Sequence, residues 1–168
     1  LFSVFDEESL KILLDLNIHE FKIPSGEIDN FLLLKKISKK AKKVFLSTGM
    51  SSIKTIRYSF NYLQKNGLKK KDIVLLHCTS SYPTNLNQIN LQRIDDLKKK
   101  FKNYLIGLSD HTDDIISSVA ASSYNIVAIE KHYKLDNKSK TTDSSFSITP
   151  KQLRKLKNYT SKLFESKK

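Results

Sequence analysis

Short, continuous apolar runs recur along the chain at intervals of roughly 20–30 residues, the spacing of one βα unit. Continuous rather than alternating hydrophobicity is typical of parallel strands that are covered on both faces. We predict six such strands, at Phe2–Phe5, Phe21–Ile23, Val44–Leu46, Ile73–Leu76, Leu105–Leu108 and Ile126–Ile129.

Segments with helical periodicity follow each apolar run. The pattern predicts helices over 7–16, 29–40, 52–65, 88–101, 113–123 and 150–164. Asp29 or Asn30, and Ser51 or Ser52, are suited to cap two of these helices at their N-termini. Pro150 stands where the first turn of a helix accepts proline.

Six βα units in succession predict an α/β fold with a parallel sheet. The chain has 168 residues, fewer than the roughly 200–250 of a complete (β/α)8 barrel. No linker or low-complexity stretch interrupts it, and residues 1–168 are predicted to form one domain.

The net charge of +13 suggests nucleic-acid binding at first. However, only three of the 30 basic residues are Arg, and the other 27 are Lys spread through helix-like runs. Nucleic-acid readers favour Arg for its bidentate geometry, so we interpret the lysines as solvated helix faces and expect no nucleic-acid partner. Cys78 is the single cysteine and no stretch resembles a membrane span, so we expect a cytoplasmic protein with Cys78 in its core.

Polar clusters stand at the carboxyl end of five of the six predicted strands. They are Lys22–Glu27, Ser47–Met50, His77–Pro83, Ser109–Thr112 and Glu130–His132. Parallel α/β folds carry their active sites at this end of the sheet, so the clusters indicate an enzyme.

His111 and His132 lie at corresponding ends of two successive strand units. Neighbouring strands are about 4.8 Å apart, so both imidazoles could reach one metal ion and leave positions open for water and substrate. The alternative is two histidines that form ordinary hydrogen bonds in loops.

Four residues from different strand ends could form an anion site. They are Lys22, Ser25, Ser47 and Ser109. A lysine charge with hydroxyl donors suits a phosphate group, although each serine alone could equally be a cap or turn residue.

Carboxylates within or near these clusters are candidates for proton transfer or substrate binding. Glu27 could act as a general acid or base. Asp110 could orient His111 or cap a helix, and Asp143 could bind a substrate hydroxyl or form a turn. Lys131 could bind an anion or pair with its neighbour Glu130.

Taken in order, five motifs resemble the sialic acid synthase family, whose members condense phosphoenolpyruvate with an N-acetylated hexosamine. The motifs are FKIPSGEI (21–28), FLSTGM (45–50), LLHCTSSYP (75–83), GLSDHT (107–112) and IEKHY (129–133). The resemblance covers nearly the whole chain. It implies an α/β fold of the (β/α)8 TIM-barrel type, of which residues 1–168 form a partial barrel domain with about six βα units. It also implies a nonulosonic acid synthase that forms a C–C bond, depends on a divalent metal and releases phosphate.

The resemblance also implies roles for individual residues. His111 and His132 would hold the metal, normally Mn²⁺, with Mg²⁺ or Co²⁺ as alternatives. The set for phosphoenolpyruvate is Lys22, Ser25, Ser47 and Ser109. The sugar would meet Glu27, Tyr82, Asp143 and Ser80, with Glu27 as the catalytic carboxylate.

Two features bear on the sugar, N-acetylmannosamine or a deoxy-diacetamido analogue. The loop Asp143–Ser147 resembles the pseudaminic acid synthase branch, whereas His77-Cys78 is similar to the neuraminate and legionaminate branches. The sequence leaves the choice open, with a preference for the pseudaminic type.

Members of the family carry two further βα units before this region and an antifreeze-like domain after it, and they act as homodimers. We therefore expect this chain to be a fragment that is poorly active or inactive alone. The alternatives are another phosphate-handling barrel enzyme, such as an aldolase, or a basic binding protein without catalytic activity.

Overall fold

The computed structural model describes residues 1–167, which divide into two compact units. The first contains residues 1–76 and 102–105, and the second contains residues 77–101 and those from 106 onward. No helix of the described residues is long and apolar enough to cross a membrane.

Residues 1–167 contain six strands, as the apolar runs predict. They are β1 Phe2–Ser3, β2 Glu20–Ile23, β3 Lys43–Ser47, β4 Ile73–Cys78, β5 Leu105–Asp110 and β6 Ile129–Lys131. Their order in the sheet follows the order along the chain, and the ladders of β1 to β4 and of β5 with β6 are parallel. Sequential parallel pairing of this kind is what repeated βα units produce.

In the part of the chain that the structure describes, six α-helices accompany the strands. They are α1 Glu7–Asp15, α2 Phe31–Lys40, α3 Ile53–Lys65, α4 Gln92–Lys100, α5 Ile116–Ala121 and α6 Pro150–Glu165. In the first unit, Phe21, Ile23 and Leu46 of the strands and Leu34 and Ile37 of α2 are fully buried. The helices thus cover the sheet with apolar faces while their lysines stay in solvent.

Local capping fixes where several helices begin, and it confirms the predicted caps. The side chain of Asn30 accepts from the Leu33 N–H at 3.2 Å, and that of Ser52 accepts from the Thr55 N–H at 3.1 Å. Thr149 caps α6 in a capping box, with Pro150 as the first helical residue. Such caps are each worth about 1 kcal/mol.

The predicted strand Ile126–Ile129 is wrong by about three residues, since β6 runs from Ile129 to Lys131. The preceding residues do bond to β5: the Val127 N–H donates to Ile106 O, and the Leu108 N–H donates to Ala128 O. Asn125, which precedes them, adopts a left-handed conformation, with φ of 51°.

Three further elements, one strand and two helices, are shorter than predicted. β1 ends at Ser3, although the Val4 N–H still donates to Lys22 O. The helix predicted over 88–101 begins at Gln92 because Asn90 is left-handed, with φ of 44°. The helix predicted over 113–123 spans only Ile116–Ala121 and continues as a 3-10 turn.

The end of β4 is buried around His77 and Cys78. Cys78 is a free, buried thiol, as expected for a small core residue. The Nε2 of His77 lies 2.7 Å from Ile89 O, and because a carbonyl can only accept, Nε2 carries the proton. Burial lowers the pKa of His77, partly opposed by this hydrogen bond, and the nearby charge of Arg93 lowers it further.

The lowered pKa of His77 makes the free energy of unfolding depend on pH. The unfolded chain takes up a proton near the ordinary histidine pKa of about 6.5, whereas the folded chain does so only at lower pH. We expect the contribution of His77 to be complete above this value and to be lost as the pH falls through it toward the folded pKa. Urea unfolding between neutral and mildly acidic pH measures this loss. His77→Gln should flatten the profile, and identical slopes for the two proteins would contradict the assignment.

Candidate active site

Lys22 and Ser47 lie on the same face of the sheet in the first unit. In the β2–β3 register Lys22 stands opposite Phe45, and Ser47 follows two residues later on β3. Side chains two residues apart on a strand share a face, and residues directly opposite one another do as well. Both side chains are buried, with Lys22 8% and Ser47 1% exposed. This face therefore presents a cation and a hydroxyl at the carboxyl end of two strands.

Three of the serines predicted to bind substrate have buried hydroxyls without a hydrogen-bond partner in the part of the chain that the structure describes. They are Ser25 and Ser47 in the first unit and Ser80 in the second; Ser59, inside α3, shares the property. By contrast, the hydroxyl of Thr48, next to Ser47, donates to Leu76 O at 2.9 Å. A buried, unsatisfied hydroxyl costs about 1–3 kcal/mol, so such atoms indicate where a polar ligand or water binds.

Glu27 ends a single 3-10 turn, Ser25–Glu27, that follows β2. The Nδ2 of Asn30 donates to Glu27 Oε2 at 2.8 Å, while Asn30 Oδ1 caps α2. One asparagine thus fixes both the helix start and the orientation of the partly buried carboxylate. Glu27 is held in place near the strand end, as a proton-transferring group must be.

In the second unit the side chains of β5 and β6 lie on two opposite faces, and the register between the strands determines which of them stand next to one another. Ser109 stands opposite Glu130, and Asp110 stands opposite Lys131. Because side chains alternate between faces, Ser109 and His111 share one side of the chain, and Asp110 and Lys131 face the other side. His111 follows Asp110 and His132 follows Lys131, so the same register also brings these two histidines next to one another.

The imidazoles of His111 and His132 are adjacent, with ring centroids 5.3 Å apart. The Nδ1 of His111 lies 3.0 Å from Thr79 O and must donate to it, so the lone pair of this ring is on Nε2. The Nδ1 of His132 lies 3.4 Å from Asp143 Oδ2. A carbonyl or carboxylate oxygen next to Nδ1 is typical of metal-bound histidines, whose Nε2 is the ligand.

The donor set fits a divalent metal with open positions. Two neighbouring imidazoles are present, with Thr79 O 3.0 Å from Nδ1 of His111 and Asp143 Oδ2 3.4 Å from Nδ1 of His132. Within residues 1–167 no group of three or more His, Cys, Asp or Glu side chains is arranged to hold a metal ion. Imidazole nitrogens are ligands that divalent metals accept, and an ion held by two of them would take its other ligands from water or substrate oxygens.

Aromatic side chains surround the two imidazoles. The Tyr82 ring lies 4.2 Å from that of His111, and the Phe146 ring lies 4.8 Å from that of His132, centroid to centroid. Partial burial raises the pKa of Tyr82, helped by Cys78 and by the charges of Glu130 and Asp143. Tyr82 is 55% exposed and remains a neutral phenol, so it can donate a hydrogen bond to a bound molecule.

Asp110 and Lys131 form a buried ion pair, with Lys131 Nζ 3.3 Å from Asp110 Oδ2 and side chains 4% and 0% exposed. The interpretation of Lys131 as an anion ligand or as a partner of Glu130 is therefore wrong, because strand alternation turns it toward Asp110. Burial alone would raise the pKa of Asp110. Hydrogen bonds from Ser117 and Ser118 and the charge of Lys131 outweigh this and lower it.

The structure brings together four of the predicted site residues, Tyr82, His111, His132 and Asp143, in the second unit. Ser80 and Ser109 belong to this unit, whereas Lys22, Ser25, Glu27 and Ser47 belong to the first. Sequence reasoning did not include Phe146, which is 2% exposed and packs against both imidazoles. The available signal was one aromatic residue inside an otherwise polar loop.

Residues 1–167 match the sequence model of the NeuB family. The chain is 45% identical to the N,N'-diacetyllegionaminic acid synthase of Campylobacter jejuni over 152 residues, which are 90% of this chain and 45% of that protein. It is 34% identical to the pseudaminic acid synthase of the same species over 146 residues, 87% of this chain and 42% of the relative. The chain thus spans less than half the length of these curated relatives.

Among solved structures, the chain is similar to the N-acetylneuraminic acid (sialic acid) synthetase of Leptospira borgpetersenii in complex with citrate. The TM-score is 0.89 and the identity 34%, covering 96% of this chain and 55% of the other. This similarity confirms the predicted TIM-barrel-type α/β fold.

The contribution of the Asp110–Lys131 ion pair to the free energy of unfolding can be tested by substitution. Lys131→Met leaves a carboxylate buried without its cation, so we expect the free energy of unfolding to fall by about 3–5 kcal/mol. Lys138→Met, at an exposed loop lysine, is the matched control and should change it by less than about 0.5 kcal/mol. Urea unfolding measures both. Equal stabilities of the two variants would show that the pair contributes nothing.

Proposed function

Because this chain belongs to the NeuB family, we propose that it carries the reacting groups of a nonulosonic acid synthase. The enzyme would join phosphoenolpyruvate to an N-acetylated hexosamine and release phosphate. The observation that carries the proposal is the set of buried serine hydroxyls that lack partners among the described residues, since three of them fall in the strand-end motifs.

The proposed reaction forms one C–C bond and breaks one C–O bond. C3 of phosphoenolpyruvate attacks the aldehyde carbon of the open-chain sugar, whose oxygen takes a proton and becomes a hydroxyl. Water adds at C2, and the resulting tetrahedral intermediate expels inorganic phosphate to leave the 2-keto acid. The protein must therefore hold two anionic groups, orient an aldehyde and move protons.

Lys22, Ser25, Ser47 and Ser109 are proposed to bind phosphoenolpyruvate. The shared face of Lys22 and Ser47 supports this, because a buried ammonium next to hydroxyl donors favours an anion. When the ligand binds, the hydroxyls of Ser25 and Ser47 gain the partner that they lack within the described residues. Charge that moves onto the leaving phosphate would be stabilised by donors already in place.

His111 and His132 are proposed to hold a divalent metal, with Mn²⁺ preferred and Mg²⁺ or Co²⁺ as alternatives. When bound, such an ion supplies Lewis acidity toward a carbonyl oxygen. The contacts of the two Nδ1 atoms with Thr79 O and Asp143 Oδ2 support this assignment, since they direct both Nε2 lone pairs outward from these acceptors.

Glu27 is proposed to transfer the proton, held in orientation by Asn30. Tyr82, Asp143 and Ser80 are proposed to bind the sugar: Tyr82 as a neutral donor, Asp143 as an acceptor for a hydroxyl or amide, and Ser80 through its buried hydroxyl. Each group offers a polar atom of the kind that an N-acetylated sugar can pair with.

The sugar is proposed to be a diacetamido-trideoxy hexose of the legionaminic or pseudaminic series. The higher identity to the legionaminic acid synthase favours the first, and the loop Asp143–Ser147 resembles the second. The family resemblance further suggests a homodimer, and the single free Cys78 suits a reducing cytoplasm.

Activity is tested by measuring phosphate released from phosphoenolpyruvate, in the polypeptide that the gene encodes, with Mn²⁺ and a panel of N-acetylated hexosamines. We expect turnover with at least one sugar, and a loss of about 100-fold or more in kcat/KM for Lys22→Met and for Ser47→Ala. Lys39→Met, at an exposed lysine of α2, is the control and should retain activity. Absence of turnover with every sugar would overturn the proposal, and full activity of Lys22→Met would overturn the anion site.

Metal binding is tested in the same polypeptide by titration with Mn²⁺ and detection of the free ion by electron paramagnetic resonance. We expect His111→Ala and His132→Ala each to weaken binding at least tenfold, because each removes one of two nitrogen ligands. His19→Ala is the matched control, since His19 bonds to Lys40 O and Asn17 in the first unit. Unchanged affinity in both ligand variants would refute the assignment.

A further inference from the structure

Residues 143–148 are bound tightly to the chain on both sides of His132. The Ile148 N–H donates to His132 O and the Lys134 N–H donates to Ile148 O, each at 2.9 Å, which places Ile148 in a parallel bridge with Tyr133. The Nζ of Lys134 also donates to Ser144 O at 2.8 Å. This segment, called the 143–148 segment below, therefore has a fixed position relative to the backbone of His132.

Two side chains of the 143–148 segment contact the imidazole of His132. Asp143 places Oδ2 3.4 Å from Nδ1, and Phe146 packs against the ring at 73° with centroids 4.8 Å apart. The Oγ of Ser147 donates to Asp143 O at 2.7 Å, and this hydrogen bond closes the turn from Asp143 to Ser147. One polar and one apolar contact thus act on the same ring from one short segment.

The imidazoles of His111 and His132 are contacted by different kinds of groups. His111 is oriented by a main-chain carbonyl, Thr79 O, which no substitution of a side chain can remove. For His132 the oxygen nearest Nδ1 in the described contacts belongs to a side-chain carboxylate, at 3.4 Å, and Phe146 is one of the side chains whose rings pack against it. Substitutions at positions 143 and 146 can therefore change the surroundings of the His132 ring.

We propose that Asp143 and Phe146 are positioning residues for His132. Asp143 keeps the proton on Nδ1, so that Nε2 is the ligand nitrogen, and Phe146 fixes the plane of the ring. This rests on the proposed function, because His132 is a metal ligand only there. It gives Asp143 a role in addition to sugar binding and gives Phe146 its first role.

The tautomer of His132 is measured without metal or substrate, by long-range ¹H–¹⁵N correlation of the imidazole at a pH above the ordinary range of histidine pKa values. We expect the Nδ1–H form to predominate in the unchanged protein and the Nε2–H form, normally the more stable one in water, to increase in Asp143→Ala. Asp143 is exposed, so this variant should fold. Ser145→Ala, in the same 3-10 turn and also exposed, is the control. If His132 gives the same spectrum in both variants, the role of Asp143 is refuted.

The second measurement is Mn²⁺ affinity, together with the visible absorption spectrum of the Co²⁺ form. We expect Asp143→Ala and Phe146→Leu each to weaken Mn²⁺ binding by about 10- to 100-fold, as loss of partners of metal-bound histidines generally does, and to change the Co²⁺ spectrum. Affinity and spectra equal to those of Ser145→Ala would overturn the proposal. A protein that binds Mn²⁺ with these dependences but condenses no sugar would refute the proposed function and leave the positioning roles standing.

Discussion

The register between β5 and β6 is the constraint on which the second unit depends. Asp110 opposite Lys131 places a carboxylate and an ammonium on one face, where three N–H or O–H donors complete their surroundings. The same register brings His111 and His132 together one residue later. A slip by one residue would exchange the faces of every side chain. It would separate the ion pair and the imidazoles at once, so one register determines both pairings.

Much of the fold could be predicted because its signals are local. Continuous apolar runs show the strands, and short polar residues such as Asn30 and Ser52 mark helix starts within one turn of sequence. The errors arise where backbone conformation is decided outside such windows. Asn90 adopts a left-handed conformation that delays the start of α4, and asparagine tolerates this conformation without requiring it.

The candidate site was predictable as a set of residue types at strand ends, but its pairings were not. Glu130 is the neighbour of Lys131 in sequence. However, side chains alternate between the two faces of a strand, and Lys131 forms its ion pair with Asp110. Phe146 was missed because an aromatic residue within a polar loop is ambiguous until its neighbours in space are known, and these neighbours include both imidazoles. The sequence shows which residue types are present, whereas the contacts between their side chains depend on strand register and on how the loops are held.

Two lysines on strands are buried in different surroundings. Most of the 27 lysines lie on exposed surfaces, but Lys22 and Lys131 have buried side chains. Lys131 faces a carboxylate whose remaining lone pairs are also satisfied, so its charge is balanced within the fold. Lys22 shares its face with Ser47, whose buried hydroxyl has no partner among the described residues. A buried hydroxyl without such a partner costs about 1–3 kcal/mol, and a polar ligand that binds to it offsets that cost, which a closed structural contact does not require.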